Sequence, residues 1–270
     1  MTLAIEKYDS RAAAVDSLLC IGLDSTFNKL PAMFRNERYP QFAFNRWIIE
    51  QTHDYVSAYK PNMAFYEERG ADGLVELGMT IEYLRAYHPA IFTICDAKRA
   101  DIESSNQGYV DSIFDRFGFD AVTLHPYLGG SALQPFLSRG DKACILLCRT
   151  SNPGAGELQD LDVGGRPLWQ VVAEKARHDW NANGNVMLVV GATYPQELQQ
   201  VRAIVGEMTL LVPGIGAQGG SVEQVIAAGL NRDRRGLIVN AGRSIIFADD
   251  PAAQAQRLRD QMRQRVQAQA

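Results

Sequence analysis

Short apolar runs rich in Val, Ile, Leu and Cys recur along the chain, each ended by polar or Gly residues and followed by a longer amphipathic stretch. That alternation is the signature of parallel βα units, whose strands are buried on both faces and whose connections are helical. The runs occupy residues 17–24, 56–62, 91–98, 120–126, 143–150, 186–193, 209–216 and 236–244, eight in all. Helix-like segments lie between them, among them residues 42–55, 73–87, 104–117, 168–181, 195–205 and 222–228. Eight βα repeats across a chain of 270 residues predict an α/β fold, a single (β/α)8 TIM barrel. No Pro/Ser-rich linker, charge block or low-complexity stretch divides the sequence, so residues 1–270 are expected to form one domain. The Gln/Arg-rich tail, residues 254–270, reads as a final solvated helix that frays.

In a TIM barrel the active site lies at the C-terminal ends of the strands, so the polar residues just past each apolar run carry the interest. In order they are Asp24, Lys60 with Asn62, Asp96 with Lys98 and Asp101, His125, Thr150 with Ser151 and Asn152, Gln218, and Asn240 with Arg243. Any one of them alone is an ordinary solvated loop residue; it is the concentration of charge that argues for a site. Asp96 and Lys98 are two apart at a strand end, so the period-2 alternation turns both side chains to one face and into the barrel mouth. Asp101 comes three residues later, pointing either into the same mouth or across an interface, and spacing does not choose between these. Lys60 ends the preceding strand. Two ammonium groups and two carboxylates placed together keep one another ionised, which predicts a permanently charged network. Buried ion pairs contribute to stability unreliably, so such a set at a barrel mouth is better explained by function.

The seventh run leads into VPGIGAQGG and the eighth into NAGRS, the two loops that often build a phosphate site in this fold. Backbone N–H groups of Gly214, Gly216, Ala217 and Gln218 can approach phosphate oxygens closely, with Gly242 beside Arg243, whose guanidinium supplies a bidentate cation. Gly214, Gly216 and Gly219 also spell GxGxxG, but the motif follows the seventh run, and no acidic residue about twenty positions on takes a ribose hydroxyl as in a dinucleotide site.

Lys plus Arg number 27 against 31 Asp plus Glu, a net charge of −4, which argues against a phosphate-backbone partner such as nucleic acid. The charged N-terminus lacks the pattern of a signal peptide, and no apolar run approaches the length of a membrane span. Cys20, Cys95, Cys144 and Cys148 lie inside apolar runs without CxxC spacing, as reduced core thiols of a cytoplasmic protein would. His53, His88 and His178 have no partner set, His125 ends the fourth run as either a pocket or a structural residue, and Trp47, Trp169 and Trp180 fall in helical segments as core residues.

Taken together, LDS at Asp24, YKPN at Lys60, DAKRAD from Asp96 to Asp101, TSNPGA at Ser151, PGIGAQGG at Gln218 and NAGRSI at Arg243 resemble the orotidine 5′-phosphate decarboxylases over nearly the whole chain. The insertion at 25–44 and the long stretch 152–167 resemble the longer bacterial subfamily, type 2. The resemblance implies decarboxylation of orotidine 5′-monophosphate to UMP in pyrimidine biosynthesis, with no metal or organic cofactor. It implies that Lys98 protonates C6 as CO₂ leaves, that Asp96 sits against the substrate carboxylate, and that Lys60 holds the network and approaches the ribose. It further implies a homodimer in which Asp101 reaches into the partner's active site. Asp24 matches a ribose contact, Ser151 the pyrimidine contact, and Gln218 with Arg243 the phosphate contacts. Ser105 stands where the family more often has Thr, at another ribose contact. A rival with the same DxKxxD, a sugar-phosphate decarboxylase working through a Mg²⁺-bound enediolate, needs a further carboxylate from the second strand, where this chain has Lys60. A catalytically silent nucleotide-binding barrel would have lost part of the charged set.

Overall fold

The structure is a computed structural model that describes residues 3–215 and 219–269. The eight apolar runs form eight strands; all but β3 are shorter than their runs because the polar ends turn away into loops. They are β1 (Leu19–Ile21), β2 (Ala58–Tyr59), β3 (Phe92–Arg99), β4 (Ala121–Leu124), β5 (Ala143–Arg149), β6 (Val186–Val190), β7 (Leu210–Pro213) and β8 (Leu237–Ala241). All pair in parallel in chain order, and β8 closes onto β1 with Leu19 opposite Val239 and Cys20 opposite Asn240.

Alternation divides the strand residues into two buried sets. Cys20, Ala58, Phe92, Ile94, Ile145, Met187, Leu211 and Ile238 fill the barrel interior, with Ala121 and Ala143 leaving room for the larger side chains. Ile21, Tyr59, Val122, Leu146, Leu188, Val212 and Val239 face outward and pack against the surrounding helices. The four cysteines are free and buried, as expected. Burial pushes the thiols of Cys20, Cys144 and Cys148 up to about 12, so none is a thiolate near neutrality.

Helices occupy the expected intervals: Pro40–Thr52, Gly70–Tyr87, Glu103–Val110 continuing through a π-helical stretch Asp111–Phe117, Leu168–His178, Pro195–Val205 and Val222–Gly229. Trp169 is buried, while Trp47 and Trp180 are partly buried against the core. None of the helices of the described residues is long and apolar enough to cross a membrane.

Three elements differ from the sequence reading. The helix Ala4–Val15 closes the N-terminal end of the barrel. Ala4, Tyr8 and Ala12 share one face and join the interior cluster, and the Tyr8 hydroxyl donates to the Leu237 carbonyl. The tail is not a fraying, solvated helix. Asp250 caps the helix Pro251–Gln267 by accepting from the Ala253 N–H at 2.9 Å, and Ala255, Leu258 and Met262 are buried. Their spacing of three and four residues makes one narrow apolar stripe among Gln and Arg, enough to dock the helix. The long stretch after β5, given no element by the sequence pattern, holds a short 3-10 turn Pro153–Ala155 and a helical turn Gly156–Gln159, and is closed by a bridge between Asp162 and Pro167.

Candidate active site

A cavity of about 490 Å³ opens at the C-terminal ends of the strands, and Asp24, Lys60, Asp96, Lys98, Ser151 and Arg243 all border it. The inward alternation of the strands explains the convergence. On β3 the interior positions run Phe92, Ile94 and then Asp96, so the carboxylate takes over where the apolar filling stops.

Pairing of the β2 and β3 chains continues past the end of β2. The Asp96 N–H donates to the Pro61 carbonyl at 3.0 Å, and Asn62 forms a bridge with Asp96. This sets Lys60 beside Asp96. The Lys60 ammonium donates to Asp96 Oδ2 at 2.6 Å, and the Lys98 ammonium to Asp96 Oδ1 at 2.6 Å. Thr123, on β4, completes the cluster: its hydroxyl donates to Asp96 Oδ1 at 3.0 Å and accepts the Lys98 backbone N–H at 2.9 Å. Lys98 itself has φ of +48°, a left-handed conformation in which a non-glycine residue is strained, at a register shift between Cys95 and Arg99. The bulge therefore aims a long side chain back over the carboxylate, and the Thr123 hydroxyl holds it there.

Burial by itself would raise the Asp96 carboxyl, but the adjoining Lys60 and Lys98 charges and their hydrogen bonds hold it well below the usual carboxylate range. Burial likewise pushes the Lys60 ammonium down, while Asp96 and then Asp24 overcome this and leave it above its ordinary value. Asp96 and Lys60 thus hold each other in their charged forms. The members of the cluster differ in access: the Lys60 side chain is 5% exposed and Lys98 is 48% exposed, so Lys98 faces the cavity.

Asp24 follows β1, with one carboxylate oxygen buried and without a protein partner among the described residues. A Cβ added at Gly22 or at Gly242 would stand 3.3 Å from Asp24 Oδ2, so both glycines make room for this carboxylate. Ser151 packs against Gly191, where a Cβ would come within 2.7 Å of the serine's own Cβ. At the other end of the cavity Gly214, with φ of +108°, and the exposed Arg243 flank the opening. Among the described residues Arg243 forms no ion pair. Gly216, Ala217 and Gln218, read from the sequence as phosphate contacts, lie outside the described residues.

The charged quartet is not gathered within one chain. Asp101 accepts from the Ile102 N–H and is not part of the cavity wall, and Ser105 is exposed on the first turn of the helix Glu103–Val110. Beside them Ile102 is 60% exposed, and Tyr127 on the neighbouring loop is 76% exposed. His125 has a ring nitrogen 3.1 Å from the Ala100 carbonyl and stands outside the cavity wall, a structural role. His53 and His88 lie against each other away from the cavity, their ring centroids 4.5 Å apart and the rings tilted by 33°.

Two polar cavity residues escaped the sequence reading. Thr123 sits inside an apolar run rather than past its end, and a polar residue at an inward strand position was the signal that could have found it. Gln159 comes from the helical turn after β5 and ties Thr150 through both ends of its amide, at 2.9 and 2.8 Å. A larger groove of about 810 Å³ lies at the opposite end of the barrel, among the starts of β6, β7 and β8. Its Arg232 faces Glu207 at 3.8 Å, and it contains nothing like the Lys–Asp–Lys cluster.

A family model described as Orotidine 5'-phosphate decarboxylase / HUMPS family matches residues 17–258. The orotidine 5'-phosphate decarboxylase of Cellvibrio japonicus is 45% identical over 267 residues, covering 97% of each chain. That of Cupriavidus necator is 46% identical over 255 residues, covering 93% of each. Among solved structures, OMP decarboxylase of Leishmania donovani superposes with a TM-score of 0.88 at 40% identity, covering 98% of this chain and 99% of the other. A closed parallel barrel whose strand ends gather Lys60, Asp96 and Lys98 over a cavity, matched along nearly its whole length by such relatives, makes the chain a member of the orotidine 5'-phosphate decarboxylase / HUMPS family.

Proposed function

We propose that this chain converts orotidine 5′-monophosphate to UMP and CO₂ without a cofactor, the whole chain acting as one barrel domain with its active site at the C-terminal strand ends. The observation that carries the reading is the half-exposed Lys98 ammonium, held 2.6 Å from an Asp96 carboxylate whose second oxygen binds the buried Lys60.

Cleavage of the bond from C6 to the carboxylate leaves an electron pair in the plane of the ring, where ring resonance offers little help. A preorganised ammonium beside C6 stabilises that charge as it develops and then supplies the proton. Lys98 has the exposure and the fixed geometry for this. Loss of CO₂ and transfer of one Lys98 proton to C6 yield UMP, and solvent reprotonates the amine. Asp96 faces the departing carboxylate and positions the Lys98 ammonium through their 2.6 Å hydrogen bond. Lys60, with Asp24, serves the ribose side, and Ser151 meets the pyrimidine ring. Arg243, Gln218 and the backbone of Gly214, Gly216, Ala217 and Gly242 take the phosphate. Binding energy from that remote group can order the segment after β5 over the ring.

Asp101 and Ser105 act in this reading on the substrate of a second subunit in a homodimer. The exposed Ile102 and Tyr127 beside them supply apolar surface for such a contact. A cytoplasmic location agrees with four buried, unpaired thiols. The metal-dependent sugar-phosphate reaction fits poorly, because a lysine rather than a carboxylate ends β2 and its ammonium occupies Asp96 Oδ2.

The test is the near-ultraviolet absorbance change of orotidine 5′-monophosphate with purified protein and a chelator, beside Lys98→Ala. Conversion to UMP by the wild type and its loss in a folded variant support the reading. Absence of conversion by folded wild type overturns it and moves the sugar-phosphate and silent nucleotide-binding readings to the front.

A further inference from the structure

Among the described residues, three asparagines have a buried amide oxygen without a protein partner: Asn45, Asn185 and Asn240. Two of them are fixed by the fold through the other end of the amide. Asn45 Nδ2 donates to the Tyr66 and Thr80 hydroxyls, and Asn185 Nδ2 donates to the carbonyls of Leu137, Arg139 and Lys142. Asn240 is different, because neither end of its amide meets a hydrogen-bonding group of the described residues. It is 8% exposed and borders the active-site cavity.

Its position follows from the barrel. Asn240 is two residues beyond Ile238 on β8, so it takes the next inward position after an interior side chain, in register with Cys20 on β1 and Pro213 on β7. The nearby cavity wall from β5, β6 and β7 is apolar, contributed by Leu147, Val189 and Leu211. A leucine of similar size would suit this position, whereas an unengaged buried amide destabilises the fold. A group that the fold does not use, kept at a cost and turned into the substrate cavity, is expected to serve the ligand.

We infer that the Asn240 amide is a further substrate-positioning contact, hydrogen-bonding an uncharged oxygen of the bound nucleotide, either a ring carbonyl or a ribose hydroxyl. This inference rests on the proposed reaction. The charged groups of that substrate are already matched, the phosphate by Arg243 and the reacting end by Lys98 and Asp96. An amide carries a donor and an acceptor and no charge, so whichever way it is turned it suits the neutral middle of the nucleotide.

The experiment compares Asn240→Leu and Asn240→Ala with wild type by steady-state kinetics, by the melting temperature of the free protein, and by the rise in melting temperature that UMP produces. A contact made equally to bound substrate and transition state raises KM about three- to tenfold with kcat nearly unchanged, and it shrinks the UMP shift. The free Asn240→Leu protein melts at or above the wild-type temperature, because an unengaged polar group has been removed. A residue with a purely structural role gives the opposite pattern: a lower melting temperature with KM unchanged. Unchanged KM and an unchanged UMP shift in both variants overturn the inference. Repeating the comparison with the 2′-deoxy substrate separates the two sources, since loss of the variant's effect assigns the 2′-hydroxyl and its persistence assigns the ring or the remaining hydroxyl. A wild type that neither turns over the substrate nor is stabilised by UMP refutes the reaction itself, and is thereby distinguished from failure of the Asn240 contact alone.

Discussion

Replacing Asp96 with asparagine changes the central charge of the cluster while almost preserving its shape. The carboxylate accepts from Lys60 and Lys98, each at 2.6 Å, and from Thr123 at 3.0 Å. In Asp96→Asn the Lys60 ammonium, with its side chain 5% exposed, loses its ion-pair partner and retains the more distant Asp24. Removing one partner of a buried pair costs about 3–5 kcal/mol. The Lys98 pair is half exposed and adds little to this. At roughly 2–4 °C per kcal/mol for a chain of this size, the melting temperature should fall by about 6–20 °C.

The dependence on pH gives a second readout. In the wild type Lys60 is raised, so its contribution is present below the ordinary lysine pKa of about 10.4 and is lost as pH climbs beyond it. Asp96 is depressed, so its contribution is present above about 3.9 and is lost as pH falls below. Stability from this cluster is therefore flat between about pH 5 and 9. In the variant the attraction that overcame burial is gone, and burial lowers Lys60. The unfolded chain then binds a proton that the folded chain does not, so stability rises as pH increases toward about 10. Urea or thermal unfolding followed by circular dichroism from pH 6 to 10 measures both effects. A variant with the wild-type midpoint and the same flat profile would refute the claim that Asp96 neutralises a buried ammonium.

Three further outcomes are expected. Mixing inactive Lys98→Ala with inactive Asp101→Ala protein should restore up to about one quarter of wild-type activity through hybrid dimers with one intact site, taking random exchange of subunits across a symmetric interface; no recovery despite demonstrated subunit exchange would place Asp101 elsewhere. Arg243→Ala should raise KM by about ten- to a hundredfold, the range of a charge-assisted hydrogen bond, with partial rescue by added guanidinium, and an unchanged KM would contradict a phosphate role. Met262→Ala should lower unfolding free energy by about 2–5 kcal/mol, because its side chain is 1% exposed within the docked C-terminal helix, whereas a frayed tail would show no effect in a denaturant titration.

Much of this protein is legible in the order of its residues, because the relevant information is local. Strands buried on both faces must be written as continuous apolar runs, and parallel pairing requires helical connections, so the order of eight units is visible in the chain itself. The same periodicity puts Asp96 and Lys98 on one side of β3, and Lys60 at the end of β2 needs only the expectation that neighbouring runs pair. The segments flanking the barrel are less legible. Tyr8 among charged neighbours, and Leu258 and Met262 among Gln and Arg, show too narrow an apolar stripe to reveal burial until the surface that covers them is known.

The eight strands, their succession, and the residue types standing at the strand ends follow from the chain alone, since these depend on backbone period and side-chain polarity. How those residues divide is settled by packing in three dimensions. The fold joins Lys60 and Lys98 through the Asp96 carboxylate, braces that carboxylate with the Thr123 hydroxyl, and turns Lys98 back by its own left-handed conformation at a bulge. It keeps Asp101 and Ser105 outside the same cavity, and it leaves the Asn240 amide facing that cavity without a partner among the described residues. The physical reason is that alternation assigns a side chain to a face, whereas contact between side chains depends on register across strands far apart in the sequence. Closure of β8 onto β1 sets that register, and no local pattern encodes it.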